Sequence, residues 1–344
     1  MKTYNVAVLG ATGAVGQELM DILLERRFPI KSLKLLASAR SAGRVMEIGG
    51  ERLVVEEVSP ESFAGVDLAF FMAGGAVSER FAQAARDHGA VVIDNSSAFR
   101  LDEDVPLVVP EVNGDDLEKH QGLIANPNCS TTIAVIALAP LHAAAGIKRV
   151  VVSTYQAVSG IGAAAIDDLN RQVAQYHGGE EITAETFPSP SAAKKYPMLF
   201  NLIPHIDVFE EGGYTKEEWK MVRETQKILN DDSIEITATT VRVPVIRSHS
   251  ESINVEFHKL LTADAAREIL EKAPGIKVYD DPAEQEYPMP ILTTGDDLVW
   301  VGRIREDFTV SSGLNLWVVG DQIRKGAALN TVQIAEELIK RDLV

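Results

Sequence analysis

Apolar positions fall into two textures along this chain. From residue 4 to about 145, short runs of aliphatic and β-branched residues (4–9, 33–37, 52–58, 66–72, 91–93, 107–109 and 123–125) alternate with stretches whose apolar residues recur three and four apart. Strand-length runs separated by helix-length periods predict a doubly wound parallel α/β sheet. After about residue 148 the texture changes. Strands are expected at 150–155, 234–247, 253–260, 298–304 and 313–319, with fewer crossovers, so the second sheet should be antiparallel or mixed in an α+β domain. Pro244 suggests an edge or a bulge.

Helices are expected at 77–88, 131–146, 163–176, from Thr215 onward, at 262–273 and at 321–342. The last is amphipathic through Ile323, Leu329, Val332, Ile334, Leu338 and Ile339 and is expected to return to the first domain. The domains are then 1–130 completed by 321–344, and 131–320. Residues 178–204 are rich in Gly, Pro, Ser and Ala and should form a long loop or lid.

Glycine spacing gives the first domain a candidate chemistry. The first strand runs into GATGAVG (10–16) and then a helix carried by Val15, Leu19, Ile22 and Leu23. Strand, glycine turn and helix are the context of a dinucleotide-binding turn. Gly10 allows the tight turn, Gly13 lets backbone N–H groups approach a pyrophosphate, and Gly16 permits close helix–strand packing. The spacing is G-x-x-G-x-x-G, not the commoner G-x-G-x-x-G. The second strand ends in Ser38-Ala39-Arg40-Ser41 with no acid for a ribose 2′-hydroxyl, and Arg40 offers a fork suited to a phosphate, so NADP is expected over NAD. The plain alternative is a loop arginine.

One sulfur stands out in the chain. Cys129 is the only cysteine among 344 residues and lies in NPNCSTT (126–132), after a proline turn and before an apolar helical run. A helix N-terminus favours a thiolate, so this residue reads as a nucleophile, although a lone cysteine is commonly a small buried hydrophobe. Arg100, at the end of the 91–93 strand, is placed to meet an anion, with a surface ion pair as the plain alternative. Glu217 and Lys220 share a helix face, which is ordinarily a solvated ion pair. His249, among small hydroxyl residues after the Arg242 strand, is a candidate acid/base.

Charge narrows the partners. Fifty acidic against 33 basic residues, net −17, disfavour nucleic acid and anionic membrane. An anionic substrate must therefore be drawn in by local Arg and Lys. A single cysteine cannot form an intrachain disulfide and fits a reducing cytoplasm. No signal-peptide pattern is visible, and 131–146 is too short and interrupted to span a bilayer.

Taken together, GATGAVG (10–16), NPNCSTT (126–132), QAVSGIG (156–162), EEWK (217–220), VRVPVIRSHSES (241–252) and GLNLWVVGDQIRKGAA (313–328) resemble the aspartate-semialdehyde dehydrogenases, in the bacterial, Gram-positive-like pattern. The likeness runs over nearly the whole chain. It implies a Rossmann-like NADP domain with an α+β catalytic and dimerisation domain, a cytoplasmic homodimer, no metal, and a place in lysine, threonine, methionine and diaminopimelate biosynthesis. It implies that Cys129 carries an acyl group, His249 moves protons, Gln156 orients the substrate, Arg242 holds its carboxylate and Glu217 its amino group. Arg100 and Lys220, supported by Asn128, would bind phosphate. Gly10, Thr12, Gly13, Ala14, Val15, Arg40, Ser41, Ser159, Gly160 and Gln322 would line the cofactor. Two rivals remain at this point. An N-acetyl-glutamyl-phosphate reductase would share the cysteine chemistry but not need Glu217. A non-enzymatic dinucleotide sensor would leave the nucleophile, base and cations without purpose.

Overall fold

The computed structural model describes residues 2–344. The chain forms two compact units, divided after Asn128 and before Gly326, so that the C-terminal segment Gly326–Val344 belongs to the first unit. The sequence pattern places these boundaries at 130/131 and 320/321.

The first unit holds a seven-stranded sheet in the order β3-β4-β2-β1-β5-β6-β7. Its strands are β1 (Tyr4–Leu9), β2 (Ile30–Ala37), β3 (Val45–Ile48), β4 (Glu51–Glu57), β5 (Leu68–Phe71), β6 (Val91–Asp94) and β7 (Leu123–Ala125). All pairs are parallel except β3–β4. Without β3 the order is that of a doubly wound nucleotide-binding sheet, whose direction reverses between β1 and β5. The edge hairpin strand β3 escaped the sequence reading, because Val45–Ile48 is short and only partly buried. Leu107–Val109, expected as a strand, makes only a single bridge from Leu107 to Ala125, with Pro110 stopping extension.

Helices α1 (Ala14–Glu25) and α2 (Gly75–Asp87) follow β1 and β5, and a short α3 (Pro110–Asn113) precedes β7. The C-terminal helix α9 (Leu329–Lys340) buries Leu329, Val332, Ile334, Ala335 and Leu338 in the core formed by β1, β2 and α1. It is shorter than the expected 321–342, since Arg324–Ala328 forms one π-helical turn first. Asn330 then donates to the Val108 carbonyl (2.9 Å) and the Asn126 side-chain oxygen (2.7 Å).

The second unit is a mixed six-stranded sheet, order β11-β12-β13-β10-β8-β9. The strands are β8 (Ile147–Gln156), β9 (Glu235–Arg242), β10 (His249–Phe257), β11 (Ile276–Val278), β12 (Val299–Glu306) and β13 (Gly313–Gly320). Helices α4 (Cys129–Ala145), α5 (Ala163–Gly178), α6 (Lys216–Leu229), α7 (Ala263–Lys272) and the short α8 (Pro290–Thr293) complete it. Helix α4 is buried along most of its length, as its continuous apolar run requires. Strand β9 stops at Arg242 instead of reaching 247, because Pro244 cannot donate to a ladder. Strand β10 starts at His249, not 253.

Residues 180–210 carry little regular structure but are tethered. Asp168 accepts from the Thr186 N–H (2.8 Å), and Gln172 accepts from the N–H groups of Met198 (2.8 Å) and Leu199 (2.9 Å). Phe187, Met198 and Ile203 pack with Val158, Ala165 and Leu169 into a core of their own. A loop held this way is a built wall, not a free flap.

Candidate active site

Sheet register assembles the second unit's polar residues. His249 on β10 pairs with Gly320 on β13, and Gln156 at the end of β8 pairs with Arg242 on β9. The adjoining Ser250–Tyr155 pair brings His249 and Gln156 to the ends of neighbouring strands. Three of the residues singled out in the sequence therefore form one row across the sheet. Alternation puts the next row on that face two residues back, where Glu251, Thr154 and Thr240 are aligned.

Helix α6 adds the acidic and basic pair. Its start is fixed by a capping box: Thr215 accepts from the Glu218 N–H (3.3 Å), and Glu218 accepts from the Thr215 N–H (2.7 Å). Glu218 also accepts from the Thr240 N–H (3.0 Å), which locks α6 to β9. Glu217, one residue earlier, is then held buried over the row. It accepts from Gln156 Nε2 (3.1 Å) and from Lys220 Nζ (3.0 Å). The second N–H of the Gln156 amide donates to Thr154 Oγ1 at 3.3 Å. Lys220 also donates to Asp207 at 2.8 Å. Burial opposes the lysine charge, but Glu217 and Asp207 outweigh it and hold Lys220 well above its ordinary pKa. Its positive charge is thus already matched by two carboxylates, and any phosphate must compete with Asp207 for it.

Arg242 is buried. Its Nη1 donates to the Ala157 carbonyl (2.8 Å), and its Nε has no hydrogen-bond partner. Burial pushes its pKa down to about 10, while the charges of Glu217 and Cys129 favour the cation. Cys129 is the first residue of α4 and only partly buried, so the helix start expected from NPNCSTT is where the sulfur sits. His249 is fully buried. Its Nδ1 accepts from the Ala157 N–H (3.1 Å), and its Nε2 has no partner. Burial first, and then the Arg242 charge, push its pKa down to about 3 against a smaller pull from Glu217. The Gly160 turn comes close to this pair: a Cβ there would lie 2.9 Å from Arg242 Nη1 and 3.4 Å from His249 Nε2. Gln322 donates to Ser159 and accepts from the Ser248 N–H (2.8 Å), which ties that turn to the end of β13.

The first unit presents a separate set. Gly10 has φ +90° at the end of β1, where the sheet reverses, and a Cβ there would lie 2.5 Å from the Met72 carbonyl oxygen. At Gly16 a Cβ would lie 2.4 Å from the Gly10 carbonyl oxygen, so this glycine serves helix–strand packing as its spacing implied. Gly13 precedes α1 with φ −79°, and a Cβ there would meet nothing nearer than 3.4 Å, so the protein's own packing does not demand glycine. The first turn of α1, Ala14 and Val15 included, carries no acid, and Thr12 Oγ1 lies 3.4 Å from Ser41 Oγ. Arg40 is exposed in the turn after β2. A helix start open to an anion, beside a hydroxyl pair and an exposed guanidinium, fits the phosphates of a dinucleotide. Arg100 is buried, donating to the carbonyls of Asn126 (2.9 Å) and Asn95 (2.9 Å), and Asn126 lies two residues before the buried Asn128.

Two family profiles match the chain: "Semialdehyde dehydrogenase, NAD binding domain" over residues 5–120 and "Semialdehyde dehydrogenase, dimerisation domain" over 138–325. Aspartate-semialdehyde dehydrogenase of Aquifex aeolicus is 53% identical over 345 residues, covering 99% of each chain. The chain belongs to the aspartate-semialdehyde dehydrogenase family. Aspartate-semialdehyde dehydrogenase II of Vibrio cholerae, solved in complex with ASA, superposes with a TM-score of 0.93 at 45% identity over 99% of each chain. The Candida albicans aspartate-semialdehyde dehydrogenase solved with NADP gives 0.77 at 27% identity, covering all of both chains. This family of oxidoreductases combines a nucleotide-binding domain and a dimerisation domain, the two-domain architecture anticipated from the sequence.

Sequence reasoning singled out Cys129, Gln156, Glu217, Lys220, Arg242 and His249, and the second unit carries them all. It missed Ala157, Thr154, Asp207 and Glu251. Ala157 acts through its backbone, which no side-chain pattern announces. Asp207 reaches Lys220 only through the tertiary fold, and the alternation of β10 could have revealed Glu251 as an inward-facing acid. No helix among the described residues is long and apolar enough to cross a membrane, and no group of metal-ligating side chains occurs among them.

Proposed function

We propose that this chain is an NADP-dependent, phosphorylating aspartate-semialdehyde dehydrogenase, interconverting L-aspartate 4-semialdehyde and L-aspartyl 4-phosphate through a thioester on Cys129. The observation that carries the reading is the Arg242–Glu217–Gln156–Lys220 cluster beside the sulfur at the start of α4, in which Arg242 senses the charges of both Glu217 and Cys129. A fork for a carboxylate and an acid for an ammonium, set near a nucleophile, match an α-amino acid whose side chain is to react. Glu217 has no such purpose in an N-acetylated substrate, and a dinucleotide sensor needs no nucleophile at a helix start.

In the oxidative direction the Cys129 thiolate adds to the aldehyde carbon and makes a tetrahedral thiohemiacetal. Gln156, with both amide N–H groups committed to Glu217 and Thr154, offers its oxygen to orient the adduct. Arg242 holds the carboxylate and Glu217 the ammonium. Gly10, Thr12–Val15, Arg40, Ser41, Ser159, Gly160 and Gln322 would hold NADP, which would supply the hydride acceptor. Phosphate guided by Arg100, Asn128 and Lys220 then displaces the sulfur. We read the protein as a cytoplasmic homodimer in the biosynthesis of lysine, threonine, methionine and diaminopimelate.

Phosphate-dependent reduction of NADP with L-aspartate 4-semialdehyde tests this. Wild type should turn over, and Cys129→Ala should neither turn over nor form an acyl-enzyme detectable by intact-protein mass. Turnover by the alanine variant would exclude covalent catalysis.

A further inference from the structure

Asp207 is tied to the Arg242–Glu217–Lys220 cluster from both sides. Four residues before it, Ile203 exchanges backbone hydrogen bonds with Arg242 (3.0 and 2.9 Å). One residue after it, the Val208 carbonyl accepts from the N–H of Lys216, the first residue of α6 (2.8 Å). Between these anchors Asp207 takes φ +68°, a left-handed conformation that few residues besides glycine, asparagine and aspartate adopt. Its Oδ1 accepts from the Val208 N–H (2.9 Å), and its Oδ2 accepts from Lys220 Nζ (2.8 Å). Glu217 divides its oxygens in the same way. Oε1 accepts from Gln156, and Oε2 accepts from Lys220 Nζ at 3.0 Å.

The result is an ammonium site that already holds an ammonium. Two carboxylates share one cation. The side chains of Glu217 and Lys220 are 6% and 17% exposed, whereas that of Asp207 is 32% exposed and forms the end open to solvent. A lysine ammonium and the α-ammonium of an amino acid carry the same charge and the same three donors. Exchanging one for the other conserves both the charge and the hydrogen bonds to the carboxylates. A ligand without an ammonium leaves the lysine where it is. The charge of Glu217 is felt by Arg242, so an acid and a guanidinium lie close enough to serve two groups on one carbon.

We propose that Asp207 and Glu217 together form the subsite for the substrate's α-ammonium, and that Lys220 fills it as an internal stand-in until the substrate displaces it. The inference rests on the aspartate-semialdehyde dehydrogenase reading above and deepens it. The displacement couples two ligands. Lys220 gives up its two carboxylates when a second ammonium replaces it, and its charge then becomes available to phosphate. Semialdehyde and phosphate therefore strengthen each other's binding, by the same factor in both directions. A ligand that lacks the ammonium gains no such help.

The test measures binding to the Cys129→Ala enzyme loaded with NADP, in which reactants can be held without turnover. Calorimetry compares L-aspartate 4-semialdehyde with succinate semialdehyde, which lacks only the ammonium. Inorganic phosphate should tighten the first severalfold and leave the second unchanged. Adding Lys220→Met removes the internal competitor and keeps most of its stem. The semialdehyde should then bind about tenfold more tightly, with no further gain from phosphate. On that background Asp207→Asn removes a charge-assisted contact and should weaken the semialdehyde by about tenfold while sparing succinate semialdehyde. Equal phosphate effects on the two ligands, weaker semialdehyde binding after Lys220→Met, or an Asp207→Asn loss shared by both ligands would each overturn the proposal. If Lys220→Met does not fold, the phosphate comparison decides alone, since it leaves the lysine in place. Wild type inactive on the semialdehyde would instead sink the functional reading, a failure visible before any variant is made.

Discussion

Gly160→Ala is a test of how closely Arg242, the carboxylate-holding residue of the proposed mechanism, is packed. The turn at Gly160 has an ordinary negative φ, so alanine is sterically acceptable to the backbone. Its Cβ, however, would lie 2.9 Å from Arg242 Nη1 and 3.3 Å from His249 Cε1, where ordinary contact begins at 3.4 Å. Arg242 must retreat by about half an ångström. Its Nη1 is 2.8 Å from the Ala157 carbonyl and the residue is 3% exposed, so there is little room to retreat without loosening that bond. Misplacement of a binding group by 1 Å costs on the order of 10²-fold, and half that displacement should cost about tenfold, or about 1.4 kcal/mol. The loss should fall on kcat/KM for the semialdehyde, read by steady-state kinetics. The melting temperature should change by no more than about 4 °C, since alanine also restricts the unfolded chain. Unchanged kcat/KM would refute the packing argument. A large thermal destabilisation would show that the glycine serves folding instead.

Three further outcomes follow from the geometry. Glu251→Gln should become progressively more stable relative to wild type as pH rises above about 4.5. The folded acid stays neutral because burial raises its pKa, while the unfolded acid ionises, so wild type loses up to about 1.4 kcal/mol per pH unit over that window; denaturant melts at pH 5 and 7.5 giving the same difference would disprove a buried neutral acid. Asp207→Asn removes one of the two carboxylates on Lys220, and the phosphate KM should fall severalfold; a rise would mean that Asp207 positions the lysine instead of competing for it. Arg40→Ala should erode the preference for NADP over NAD in kcat/KM, and an unaltered ratio would move the 2′-phosphate contact elsewhere.

How much of this could be read along the chain depended on range. Residues 4–16 specify strand, turn and helix locally, and Gly10 and Gly16 are glycines because a Cβ would strike Met72 and Gly10 carbonyls. The helix start at Cys129, the capping box at Thr215 and the returning C-terminal helix were likewise legible, since each is written in neighbouring residues or a 3.6-residue period. The edge strand β3 and the early end of β9 were not, because short exposed strands and proline stops depend on what lies alongside.

The sequence alone therefore determined the order of elements, the glycine turn, the sulfur at a helix start and the residue types available for chemistry. Only the tertiary structure decided their partners. Register across β13, β10, β8 and β9 set His249, Gln156 and Arg242 in one row. The Ala157 backbone N–H took the histidine's Nδ1 as its acceptor, and Asp207 laid claim to Lys220. Those choices come from contacts between residues far apart in the chain, and local propensity carries no information about which distant group will satisfy a buried donor or charge.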